Sequence, residues 1–102
     1  MQIAPATLST FAEEIFLAAG ADAPRARETA EHLVLANLKG HDSHGVGMIP
    51  AYVNNIMAGT CKPNADAEVI RDKGSVLLVD GKFGFGQVVG MQATQFGIDR
   101  AK

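Results

Sequence analysis

The chain has few of the features that mark secreted, nucleic-acid-binding or membrane proteins. It contains one cysteine among its 102 residues. No disulfide can therefore form within the chain, which is typical of proteins from a reducing compartment. It also lacks a basic excess, since nine Lys and Arg stand against eleven Asp and Glu, for a net charge of -2. Binding nucleic acid through its phosphates needs such an excess, and we expect no nucleic-acid partner.

Long apolar segments are missing as well. No apolar run approaches the roughly 20 residues that a membrane-spanning helix needs. The first residues show no basic stretch followed by an apolar one, which is the pattern of a signal peptide. We therefore expect no membrane contact and a cytoplasmic location. Hydrophobic residues nevertheless make up 47% of the chain and charged residues 20%, which favours a folded protein over a disordered one.

The spacing of apolar residues predicts a mixed α/β protein, with helices first, then a β-hairpin, then a helix. Three- and four-residue spacings over 7–19, 24–39 and 49–57 predict three helices. Their predicted apolar faces comprise Leu8, Phe11, Ala12, Ile15, Phe16, Ala19, Ala26, Ala30, Leu33, Val34, Leu38, Ile49, Val53, Ile56 and Met57.

Beyond residue 67 the apolar period changes from that of a helix to that of a strand. Strands are predicted at 68–71 and 75–80, with a turn at 72–74 and the second strand well buried. A last helix begins near Gln87 and shows no stop signal before Lys102. Since two strands alone form a poor sheet, we expect residues 1–102 to be the N-terminal segment of a larger protein, with no internal domain boundary.

The loop between the second and third helices carries most of the candidate chemistry. Residues 40–47 read Gly-His-Asp-Ser-His-Gly-Val-Gly. Histidine can take or give a proton near neutral pH, and a neighbouring Ser or Asp can fix its tautomer. Gly45 would leave room for a ligand. The same residues also suit a polar loop in which Asp42 and Ser43 cap the next helix, so the pattern leaves both interpretations open.

A metal site in this loop is the less favoured interpretation. His41, Asp42 and His44 are possible zinc ligands, but zinc needs three or four ligands in a definite geometry. The two histidines are three residues apart in a glycine-rich loop, and His32 lies within the second helix. We therefore predict no metal.

A second glycine-rich stretch has the form G-x-G-x-x-x-G, at Gly84, Gly86 and Gly90. A dinucleotide-binding loop has one residue fewer before its last glycine and follows its strand directly. Here residues 80–83 form a turn between the strand and the first glycine. The pattern favours a packed turn with a close-packed glycine in the helix. A small phosphate-binding domain is the alternative.

Residues 40–53, GHDSHGVGMIPAYV, resemble the signature of the malate/L-lactate dehydrogenase family, which is unrelated to the Rossmann-type lactate and malate dehydrogenases. The paired N-terminal helices, residues 76–81 and the Phe-Gly-Gln before the last helix agree with this resemblance. It implies the family's own mixed α/β fold and an oxidoreductase that uses NAD or NADP. It also implies a small 2-hydroxy acid as substrate, a 2-oxo acid as product, and a homodimer. The bacterial hydroxycarboxylate dehydrogenases match best.

The resemblance also implies roles for individual residues. His44 would be the proton donor and acceptor, with Ser43 as its hydrogen-bonded neighbour. His41 and Met48 would lie at the substrate. Some relatives carry at the position of Met48 an arginine that clamps the substrate carboxylate, and a thioether cannot do this. Another group must then hold the carboxylate. The residues that bind the cofactor are expected beyond Lys102.

A different class of protein also fits the composition. The chain would then be a non-catalytic association module, a truncated product that forms oligomers without binding a cofactor. Under either hypothesis a segment of this size cannot bury all of its apolar residues, so we expect exposed apolar surface.

Overall fold

The computed structural model describes residues 2–102 and confirms the mixed α/β class. Two of its turns are short 3-10 helices. In chain order the elements are α1 (Pro5–Ala18), α2 (Ala23–Leu38), the 3-10 turns Asp42–His44 and Val46–Met48, α3 (Ile49–Ala58), β1 (Glu68–Lys73), β2 (Val76–Asp80) and α4 (Gly86–Ala101). None of the helices in residues 2–102 is both long enough and apolar enough to cross a membrane.

The first two helices form a hairpin whose ends are set by three residues. Pro5 occupies the first position of α1, where its missing N–H has no helical partner to lose. The helix therefore begins two residues before the predicted Thr7. Gly20 ends the helix with a φ of +112°. The Asp22 side chain accepts a hydrogen bond of 3.1 Å from the backbone N–H of Arg25 and so caps α2.

Three aromatic residues from different helices meet at the centre of the core. Phe16 of α1 lies with its ring centroid 5.3 Å from that of Phe85, edge to face. Tyr52 of α3 lies 6.1 Å from Phe16 and 6.2 Å from Phe85. Phe85 immediately precedes α4. This aromatic cluster therefore holds α1, α3 and the start of α4 together.

Of the fifteen residues predicted on the apolar faces, seven are fully or almost fully buried, five are half-buried and three are exposed. The fully or almost fully buried members are Ala12, Phe16, Ala26, Ala30, Leu33, Val34 and Ile49. Phe11, Leu38 and Met57 are 59%, 62% and 79% exposed. Each lies at the flank of an apolar face, and within residues 2–102 no further layer covers that flank. The buried stripe is therefore narrower than the apolar face read from the sequence.

The hairpin is antiparallel, and its turn falls later than predicted. β1 continues through Lys73, which pairs with Val76, so the turn consists of Gly74 and Ser75. Gly74 has a φ of +68°, which suits the first position of a two-residue hairpin turn. The register shifts between Val69 and Arg71 as a β-bulge.

The prediction that the second strand is well buried was wrong. Val76 and Leu78 are 62% and 51% exposed, and only Leu77 and Val79 are half-buried. A strand that reads as a continuous apolar run needs cover on both faces to be buried. The described residues cover only one face of this hairpin.

A polar network ties α2 to α4 through the segment before β1. The Arg25 guanidinium forms ion pairs with both Asp22 and Asp66. Asp66 also accepts a hydrogen bond of 2.9 Å from the side chain of Gln92 in α4. The Gln92 amide and the Arg25 guanidinium together hold the pKa of Asp66 below its usual value. The hydrogen bond to Asp66, with the charges of both carboxylates, raises the pKa of Arg25.

Removing the ring of Phe16 should destabilise the chain far more than removing a ring from the surface of the same helix. Phe16 is fully buried in the aromatic cluster, whereas Phe11 is mostly exposed. We expect Phe16→Ala to lower the free energy of unfolding by about 3–5 kcal/mol. Phe11→Ala should stay within about 0.5 kcal/mol. Urea denaturation followed by circular dichroism measures both, and equal losses would contradict the central place of Phe16.

Candidate active site

The loop after α2 is compact because it folds into two consecutive 3-10 turns. The N–H of His41 donates to the carbonyl of Ala36 at 2.8 Å, which joins the loop to the last turn of α2. The N–H of His44 donates to the carbonyl of His41 at 2.9 Å, and that of Met48 to the carbonyl of Gly45 at 3.0 Å. The backbone on both sides of His44 is therefore hydrogen-bonded.

Ser43 and His44 form a hydrogen-bonded pair on the surface of this loop. The Ser43 Oγ lies 3.0 Å from the Nδ1 of His44, and both residues are exposed. Within residues 2–102 the Nε2 of His44 has no hydrogen-bond partner. With Nδ1 protonated and donating to the serine, Nε2 is free to accept a proton. With the serine donating to Nδ1, Nε2 carries a proton that it can give.

Asn37, in the last turn of α2, is a residue that the sequence analysis did not single out. Its Oδ1 accepts a hydrogen bond of 2.8 Å from the N–H of Val46. Its Nδ2 donates to the Oδ1 of Asp42 at 2.9 Å. One amide thus contacts the loop on both sides of the Ser43–His44 pair. An asparagine near the end of a helix is common, so its sequence position alone carries no signal of this role.

Gly45 lies directly against the Asn37 side chain. A Cβ at this position would be 2.2 Å from the Oδ1 of Asn37 and 2.4 Å from its Cγ. Contacts this short do not occur, so a side chain at position 45 would displace the amide. The sequence pattern predicts that Gly45 makes room for a ligand. The structure corrects this, because the space is taken by Asn37.

The other predicted site residues, His41 and Met48, lie in the same loop. His41 is exposed, and its side chain makes no hydrogen bond to another described residue. Met48 ends the second 3-10 turn and is 37% exposed. In the described part of the chain, no three His, Cys, Asp or Glu side chains come together as metal ligands.

The second glycine-rich stretch does not form a phosphate cradle. A Cβ on Gly84 would lie 3.0 Å from the carbonyl oxygen of Ala65 and 3.0 Å from the Cγ1 of Val89. This glycine therefore packs against the protein's own backbone, and the facing carbonyl oxygen would repel a phosphate. A Cβ placed on Gly86 or on Gly90 would meet no neighbour within 4 Å. The close-packed glycine thus lies in the turn and not, as predicted, in the helix.

The turn before Gly84 is formed by residues that rarely take its conformation. Lys82 and Phe83 have φ values of +56° and +62°, and the N–H of Gly84 donates to the carbonyl of Gly81 at 2.9 Å. Both left-handed residues thus lie in the second half of the predicted turn at 80–83. Nothing in this arrangement fits a nicotinamide dinucleotide, and we assign no cofactor-binding role to these residues.

Comparison with known proteins places this fold among dehydrogenases. Hydroxycarboxylate dehydrogenase B of Escherichia coli (strain K12) is 40% identical over 95 residues, which are 93% of this chain and 26% of that protein. The structure of malate dehydrogenase from Pyrococcus horikoshii OT3 superposes with a TM-score of 0.92 at 33% identity, covering 99% of this chain and 29% of that one. Sulfolactate dehydrogenase from Methanocaldococcus jannaschii gives a TM-score of 0.91 at 31% identity, with the same coverage.

The fold is therefore of the malate/lactate dehydrogenase-like class. Residues 3–102 match the sequence profile of the malate/L-lactate dehydrogenase family. The chain belongs to that family, as the resemblance of residues 40–53 had implied. It spans about a quarter of the length of the curated relatives it matches, 26% for the enzyme from E. coli.

A methyl group at position 45 should disrupt the loop, whereas one at position 47 should not. Gly45→Ala places its Cβ inside the Asn37 amide, while a Cβ on Gly47 meets nothing within 4 Å. We expect Gly45→Ala to lower the free energy of unfolding by about 1–3 kcal/mol, the usual cost of overpacking. It should also shift the Val46 amide signal in ¹⁵N–¹H spectra. Equal effects of Gly45→Ala and Gly47→Ala would contradict the close contact with Asn37.

Proposed function

We propose that the chain is the N-terminal part of an oxidoreductase that interconverts a small 2-hydroxy acid and its 2-oxo acid, with His44 as the proton donor and acceptor. The reaction would use NAD or NADP. The observation that carries the proposal is the Ser43–His44 pair, with 3.0 Å between the Ser43 Oγ and Nδ1 and with Nε2 free on an exposed loop. Family membership and the names of the relatives support it.

Oxidising an alcohol requires that the hydroxyl lose its proton as hydride leaves the carbon. The neutral imidazole of His44 accepts that proton at Nε2, and the resulting imidazolium donates from Nδ1 to Ser43 Oγ. In the reverse direction the imidazolium returns the proton to the forming alkoxide. A nicotinamide, when bound, supplies the hydride chemistry. The part played by this chain is to hold and move the proton.

The relatives indicate the class of substrate. Their names specify a hydroxycarboxylate, malate and sulfolactate, and the last two are small 2-hydroxy acids. We assign His41 and Met48 to the substrate side of the loop. Since a thioether cannot pair with a carboxylate, an N–H of His41 is the candidate donor to the substrate carboxylate within residues 40–48.

We place the protein in the cytoplasm as a homodimer. The support for association is the number of large apolar side chains left exposed. They include Phe11, Leu38, Met57, Ile70, Val76, Leu78, Phe83, Met91 and Ile98. Apolar surface of this kind is usually covered by a partner or by further chain.

Loss of the imidazole should abolish most of the turnover in the complete enzyme that carries this segment. We expect His44→Ala to lower kcat by about 10²–10⁴-fold, the usual contribution of a general acid or base. Ser43→Ala should cause a smaller loss, because the imidazole remains. His32→Gln, in α2 and outside the loop, is the matched control. Oxidation of malate, lactate and sulfolactate with each cofactor gives the measurement, and near-normal turnover in His44→Ala would refute the assigned role.

The second candidate function is that of an association module that does not bind a cofactor, and the same exposed apolar side chains favour it. Intact mass measurement of the natural protein separates the two candidates. We expect a mass well above the 10.7 kDa of this chain, as an enzyme of the relatives' length requires. A natural product of 10.7 kDa that sediments as one discrete oligomer and binds neither NAD nor NADP would instead establish the association module.

A further inference from the structure

The Ser43–His44 pair needs an external support because both residues are exposed. An exposed side chain on a surface loop is ordinarily free to exchange among rotamers. A proton acceptor acts efficiently only when it is held within hydrogen-bond reach of its proton. The loop's own backbone hydrogen bonds make it compact, but only those from Gly40 to Asn37 and from His41 to Ala36 reach α2, and both lie at the start of the loop. They fix its shape more than its place on the protein.

Asn37 supplies a connection from the loop to the rigid part of the molecule. Its amide contacts Val46 on the C-terminal side of His44 and Asp42 on the N-terminal side of Ser43. It belongs to α2, whose Ala30, Leu33 and Val34 are buried in the core. These two hydrogen bonds therefore connect α2 to the residues on both sides of the Ser43–His44 pair. Gly45 allows the loop backbone to approach this amide.

We propose that Asn37 is the positioning residue of the Ser43–His44 pair, acting as a clamp whose two amide atoms fix the loop from both sides. The clamp consists of the Asn37 amide, the Val46 N–H and the Asp42 carboxylate. This inference rests on the proposed proton-transfer role of His44. Asn37 itself touches neither Ser43 nor His44 through a hydrogen bond, and its effect passes through the loop backbone.

The chemistry of the clamp requires an amide at position 37 when position 42 is a carboxylate. Aspartate at 37 has almost the same shape and keeps an acceptor for the Val46 N–H, but it loses the donor to Asp42. Two carboxylates would then face each other and repel until one takes up a proton. Exchanging the two residues restores the pairing, because asparagine at 42 donates to aspartate at 37. A purely steric role for Asn37 would not be sensitive to this exchange.

The test compares Asn37→Asp with the double variant Asn37→Asp/Asp42→Asn in this chain, by NMR. Amide hydrogen exchange of Val46 reports the clamp, and the imidazole ¹⁵N signals of His44 report its tautomer. His32 and His41 serve as internal references. We expect Asn37→Asp at neutral pH to lower the protection of the Val46 amide roughly tenfold, because repulsion from Asp42 moves the new carboxylate away from the Val46 N–H and breaks that hydrogen bond. It should also shift the His44 signals, and acidification should diminish both effects.

The double variant should restore the wild-type signals, and Asp42→Asn alone should leave them nearly unchanged, since an amide at 42 can still accept from Asn37. Wild-type Val46 exchange and His44 signals in Asn37→Asp would overturn the proposal. So would effects that the double variant fails to reverse. If Asn37→Asp unfolds the chain, the double variant alone tests the clamp. A folded chain with wild-type His44 signals supports the clamp, and any other result overturns it.

The same variants in the complete enzyme separate this inference from the proposed function. We expect Asn37→Asp to lower kcat at neutral pH with partial recovery at lower pH, and the exchanged pair to recover kcat. KM should change little. If His44→Ala keeps its turnover while the NMR results hold, the clamp is real and the proton-transfer role is wrong. If His44→Ala is inactive while Val46 exchange and the His44 signals are unchanged in Asn37→Asp, only the positioning role of Asn37 is wrong.

Discussion

The packing of Phe16 against Phe85 and Tyr52 is the interaction on which the other contacts of this fold depend. These rings come from α1, α3 and the residue preceding α4, which are far apart in sequence. Their packing joins α1, α3 and the start of α4, and α2, whose Ala26 and Ala30 are buried, packs against α1. The polar network of Arg25 and Asp66 then joins α2 to α4 at the periphery. The hairpin lies outside this core, and one of its faces remains open.

The candidate active site is built on the end of α2 and depends on that core indirectly. The Ser43–His44 pair is joined by a single local hydrogen bond between adjacent residues. Its place on the protein comes from Asn37, because this amide links the buried helix to both flanks of the exposed loop. Gly45 is needed for the same reason, since any Cβ there would occupy the position of the amide. An exposed pair on a surface loop is thus connected to a buried helix.

Much of the fold could be predicted because helices and strands have distinct apolar periods. All four helices and both strands were located, with ends displaced by one or two residues. The ends were displaced where a cap or turn decided them, as at Pro5 and Gly74. Burial was predicted less well. Leu78 reads as a core residue, but it is exposed here because exposure depends on which other elements cover a strand. The left-handed turn at Lys82 and Phe83 could not be foreseen, since neither residue favours that conformation.

The side chains offered by the candidate site follow from local sequence. Ser43 and His44 are adjacent, so their hydrogen bond forms within a short local turn, and the surrounding motif identifies the family. What connects that pair to the rest of the protein depends on how the helices pack. Asn37 reaches Val46 across nine residues, and the aromatic cluster joins Phe16 to Phe85 across most of the chain. Such contacts leave no periodic or spacing signal, because they depend on how the elements pack and not on the local preference of any residue.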